Sequence, residues 1–88
     1  MAIITNVVDE RGNMFEQQYV NVHRLLVNKD TMIVEAGVHH SEQSARDGAP
    51  PHRAEAIYSV PFDMNSDLNP WQQAYVAIKN RWPDSTDC

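Results

Sequence analysis

Asn69-Pro70-Trp71-Gln72-Gln73-Ala74-Tyr75-Val76-Ala77-Ile78-Lys79-Asn80-Arg81-Trp82-Pro83 is the stretch that decides the fold. Trp71, Ala74, Tyr75, Ile78 and Trp82 recur at helical spacing, the period of one face of an α-helix. The stretch also carries its own boundaries. Asn69 is a good N-cap, and Pro70 suits the first helical position, where no N–H is needed. Gln72 stands where a capping box places its reciprocal partner, and Pro83 stops the helix. Both tryptophans of the chain lie in this stripe. The pattern therefore predicts a helix that roofs a single core, with Trp71, Tyr75 and Trp82 on one side. Trp82, in the last turn, can equally overhang the sheet and offer its ring to a partner.

Toward the N-terminus the period changes to two. Thr31 to His39 sets Met32, Val34, Ala36 and Val38 on one face and is the cleanest strand. His52 to Phe62 repeats the pattern with Ala54, Ala56, Tyr58, Val60 and Phe62. Pro61 cannot donate to a ladder, so that strand ends there or lies at a sheet edge. Met14 to Val27 reads as a long strand in which Val20 and Val22 oppose Asn21 and His23. Its alternation slips near Arg24-Leu25-Leu26, as a bulge or burial on both faces would require. Ile3 to Val8 is a short β-branched run, followed by a turn over Asp9 to Asn13; Asn28-Lys29-Asp30 has hairpin length. His40 to Pro51 has no apolar period and reads as a loop with room for one helical turn over Glu42 to Ala45. Strands followed by one helix predict an α+β fold: a small antiparallel meander of about four strands with one C-terminal helix packed on one face.

The chain has 88 residues, which makes one domain with a thin stability margin. Apolar residues are 42% of it and the mean hydropathy is −0.53, so a neighbouring surface could supply burial that the chain itself lacks. The net charge is −5, and the seven Lys and Arg are scattered. Displacing counterions from phosphates needs clustered cations, so neither nucleic acid nor an acidic membrane is an expected partner. No run approaches the roughly 18 apolar residues of a membrane span. Met1-Ala2-Ile3-Ile4-Thr5-Asn6 does not read as a signal peptide. The one cysteine, Cys88, cannot make an internal disulfide and reads as part of a frayed end in a reducing compartment.

Catalytic and metal chemistry finds little support. His23, His39, His40 and His52 invite a metal hypothesis, but neighbours in a strand point to opposite faces, which separates His39 from His40. His40 and His52 flank the loop and could approach each other. Zinc, though, usually takes about three or four ligands, and no paired Cys or His-x-His spacing occurs. Rim histidines are the simpler reading. Cys88 on a tail cannot hold attack geometry, and Glu35 and Glu55 read as ordinary outward charges on strands. The three glycines, Gly12, Gly37 and Gly48, form no phosphate loop. The residues point to a non-enzyme with no cofactor and no metal.

One group of known proteins shares several of these elements. The shared features are Val34-Glu35-Ala36-Gly37-Val38, a loop with Ser41, Ala45, Gly48 and Pro50-Pro51, and a strand ending Val60-Pro61-Phe62. Gln73-Ala74-Tyr75, Ile78-Lys79 and a final Asp87-Cys88 complete the set. In these the chain resembles short tailed-bacteriophage proteins of under about a hundred residues, over Val34 to Cys88. The resemblance implies a virion accessory or tail-assembly component, near the fibres or head surface, that binds a larger virion protein in several symmetric copies. A small phage effector that blocks a host protein is the alternative, with the acidic surface as bait. On either reading the sheet would leave one face and its edges uncovered. The expected contact residues are Ile33, Ile57 and Leu25, pointing away from the helix, with Gly48 and Pro50 as a rim and Trp82 beside them.

Overall fold

Met32, Val34, Ala36 and Val38 are at most 1% exposed, and the strand that carries them is an inner strand of the sheet. The structure, a computed structural model, describes residues 2–87. In chain order the elements are β1 (Ala2–Val8), β2 (Met14–Val27), β3 (Thr31–His39), α1 (Glu42–Arg46), β4 (Arg53–Pro61), α2 (Pro70–Arg81) and β5 (Thr86–Asp87). All strand pairs are antiparallel, in the order β4-β3-β2-β1-β5. The first four strands thus form the expected meander.

The sheet has five strands instead of about four. Thr86 and Asp87 pair with Ile4 and Ile3, so the tail is held by a short strand as far as Asp87. Two residues show no period, and nothing local in the sequence marks them. Cys88 lies outside the described residues.

The core joins β3 to Val20, which faces Val38, and to Ile3, which faces Val20. Ala74 and Ile78 of α2 and its C-cap Trp82 belong to the same buried cluster. The start of α2 is as its sequence requires. Asn69 Oδ1 accepts the Gln72 N–H at 2.8 Å, and Gln72 Oε1 accepts the Asn69 N–H at 2.9 Å. Trp71 departs from expectation, being 50% exposed. It shares the angular position of the stripe, but in the first turn its side chain leans back toward the helix start, beyond the buried rows.

Bulges reset the faces of two strands. In β2 the register shifts between Val22 and Arg24, where the alternation slips, and Leu25 then pairs with Val34. In β4 a shift sets Ile57 opposite Val34 and Val60 opposite Met32, with Ser59 at φ 56 between them. One inserted residue exchanges inside and outside. Ile57 and Val60 therefore turn toward the core, and the expected shared face of Ala54, Ala56, Tyr58 and Val60 breaks at the bulge.

Candidate functional site

β4 is an end strand of the sheet, and alongside it α2 leaves a groove of about 610 Å³. Ile57 and Val60 contribute from the strand, Val76 and Ala77 from the helix, and Tyr58 and Leu68 from the rims. Each is placed by a local cause. The Ser59 bulge sends Val60 inward and leaves Tyr58 70% exposed. Leu68 stands in the connector between β4 and α2, which Gln73 ties down. The Gln73 side chain donates to the carbonyl oxygens of Asp63 at 3.0 Å and Leu68 at 2.9 Å, and accepts the Asp63 N–H at 3.0 Å. Arg81 bounds the groove and donates to Glu55 Oε1 from Nη2 at 2.6 Å and from Nε at 3.1 Å.

The outer edge of β4 has no strand partner among the described residues. Part of it is guarded. Arg53 and Glu55 stand opposite the core residues Val38 and Ala36 and are paired with Glu10 and Arg81. Pro61 cannot donate, and the bulge twists the strand near its end; all three devices discourage indiscriminate pairing. What stays open is the short run 54–58 beside an apolar groove. Such an arrangement can receive a short extended or apolar segment through backbone hydrogen bonds and side-chain burial.

The residues expected at a contact surface separate into three places. Ile33 is half-buried and pairs with Leu26, which is 66% exposed, at the far end of the β2–β3 hairpin. Leu25 and Ile57, expected to point away from the helix, face the core: both pack against the buried cluster, because the two bulges turned them inward. Ile57 reaches the groove from that side. Gly48 and Pro50 are exposed on the loop after α1. That loop leaves β3 at the end opposite Ile33, roughly 20 Å away along the strand at the usual rise per residue. They therefore do not rim the Ile33 surface. Trp82 is 7% exposed and belongs to the core, so it offers no ring to a partner. Tyr58, Leu68 and Val76 are the exposed groove residues that the sequence reading missed. Val76 lies off the apolar stripe of its helix and Leu68 is a lone apolar residue in a polar connector, faint signals that a search for cores passes over.

His40 and His52 do approach each other: their rings stack at 4.0 Å with an interplanar angle of 11°. His52 Nε2 lies 2.7 Å from Gln18 Oε1, and Gln18 in turn donates from Nε2 to the Glu16 carbonyl at 2.9 Å. That orientation makes His52 Nε2–H the donor. Burial lowers the pKa of His52 below 6.5, and His40, His39 and Arg53 add to the effect. His39 is 6% exposed and sits edge-on to Tyr19 at 6.2 Å. Burial, and then His23, lowers its pKa also. No set of three or more His, Cys, Asp or Glu among the described residues is placed to hold a metal ion.

No protein-family model, curated protein or solved structure matches the chain.

Proposed function

We propose that this protein is a non-enzymatic docking module whose contact surface is the groove between β4 and α2. We infer that α2 lies across one face of the sheet, which makes the β4 side the place where a partner can both extend the sheet and cover apolar side chains. The observation that carries this reading is the open run 54–58 beside Tyr58, Leu68 and Val76, which are 70%, 43% and 45% exposed. Exposed apolar side chains gathered along an open strand edge are the usual sign of a binding surface. The partner proposed is a larger protein of a bacteriophage particle, near the tail or its fibres, holding several copies of this chain. That assignment is supported by the likeness of Val34 to Cys88 to short phage proteins.

Two measurements test the two halves separately. Quantitative mass spectrometry of purified particles is expected to find the chain in stoichiometric amounts; particles that lack it would remove the virion assignment. Cross-linking of those particles is expected to place residues 54–76 against another protein. Cross-links confined to the opposite side of the molecule would remove the groove. A protein absent from particles that instead captures one host protein through the same groove would be the blocking effector.

A further inference from the structure

Every histidine of the chain gathers about one loop. His39 and His40 lead into residues 41–51, His52 closes them, and His23 on β2 adjoins His39. We propose that this cluster is a proton-operated latch. With neutral rings the His40–His52 stack fastens the loop carrying α1 to the sheet, and a second proton on the stacked pair opens it.

The argument is geometric. Two parallel rings at 4.0 Å share a flat contact that cannot hold two positive charges without repulsion. His52 is exposed as His40 is, but it is tied to β2 through Gln18 at 2.7 Å and lies 5.3 Å from the Phe15 ring, so it is the less free of the two rings to withdraw. His40 is exposed and has the freedom to leave. His39 Nδ1 is buried without a hydrogen-bond partner, so a proton there would meet no acceptor. Pro51 closes the same region: a Cβ built on Gly37 of β3 would come 3.4 Å from Pro51 Cβ.

The charged surroundings offer little relief. On β4, the neighbouring Arg53 adds another cation to the field at His52, and its carboxylate partner Glu10, in the β1–β2 turn, is 2.6 Å from it and already engaged. On β2, His23 has the β3 carboxylate Glu35 at 3.9 Å. On α1, Glu42 pairs with Arg46, and Asp47 accepts from Gln43 at 2.8 Å. Folding lowers the affinity of His39 and His52 for protons. The unfolded or opened chain therefore binds more protons than the closed one as pH falls below the ordinary 6.5. Closure is complete above that value and is lost as pH falls through the lowered values.

The test is amide exchange of the loop in the whole protein, corrected for intrinsic rates, between about pH 7.5 and about pH 5.5. The amides to follow are His52, which donates to the Val38 carbonyl of β3 at 3.0 Å, and Ala45, Asp47, Gly48 and Ala49, whose backbone bonds lie within residues 41–49. Their protection is expected to fall by at least about tenfold while that of β3 holds. His40→Phe keeps a flat ring in the stack without a proton site and is expected to reduce the change. Unchanged loop protection across the range would overturn the latch, as would an undiminished change in His40→Phe. If that variant fails to fold, NMR of the unaltered protein decides: loop amide shifts that change together with the His52 ring as pH falls support the latch, and loop shifts that stay fixed while the ring titrates refute it.

Discussion

The Tyr75 hydroxyl lies 2.8 Å from Asp87 Oδ1 and 3.0 Å from the Ala2 carbonyl oxygen, joining α2 to the first and last described strands. One hydroxyl proton serves two acceptors, and the carboxylate is the stronger of them. Lys79 Nζ adds an ion pair to Asp87 at 3.1 Å. Tyr75→Phe is expected to lower stability by about 1 kcal/mol. It should also release the β5 pairing, seen as faster amide exchange at Thr86 and Asp87 while β3 stays protected. Unchanged exchange at β5 would show that its backbone ladder needs no such tie.

Asp87 gives that tie a pH dependence. The Tyr75 hydrogen bond, and then Lys79, hold its carboxyl below the ordinary 3.8. The contribution is therefore complete above that value and is lost as pH falls through the lowered one. Acid titration of stability by urea melts should show a shallower acid limb in Tyr75→Phe than in the unaltered chain.

The two tryptophans should behave as opposites. Trp82→Ala removes a core ring and is expected to cost about 3–5 kcal/mol, enough to unfold much of so small a domain. Trp71→Ala should cost under about 1 kcal/mol. Iodide quenching should reach Trp71 and spare Trp82. Equal quenching of both would contradict their placement.

Gly37 tests how closely β3 sits against the side chains of β2. A Cβ there would stand 3.1 Å from Asn21 Oδ1 and 3.1 Å from His23 Cβ. Gly37→Ala should cost about 1–3 kcal/mol, as overpacking does. Asn69→Ala removes one half of the capping box and should cost about 1 kcal/mol.

For docking, Val76→Asp is the direct probe, since Val76 is 45% exposed and lines the groove. It should change stability by no more than about 0.5 kcal/mol. Recovery of the chain with purified particles should drop by at least about tenfold, as burying an unpaired charge demands. Normal recovery would move the contact elsewhere.

Most of the architecture was legible because it rests on short-range signals. Asn69, Pro70 and Gln72 announce the helix through bonds made within one turn, and the alternation of 32–38 announces β3. The bulges were only half legible. The slip at Arg24-Leu25-Leu26 shows in the apolar pattern, whereas Ser59 takes its φ of 56 inside a run whose alternation looks unbroken. That one residue decides whether Ile57 or Tyr58 faces outward, and so where an exposed apolar surface forms. β5 depends on a pairing that spans most of the chain, Ile3 with Asp87, and the groove on one between residues 26 apart, Glu55 with Arg81. No local window contains both partners. The histidine stack was foreseeable only as proximity across a loop.

The pairing of Ile3 with Asp87 also fixes how the molecule can be attached to anything else. Its two described ends leave from neighbouring strands at the margin remote from β4. A tag, fusion or linker at either end would emerge from that corner and leave the groove clear. A short peptide bridging the ends, with new termini cut at Asn28 to Asp30, would make a circular permutant that keeps every strand neighbour.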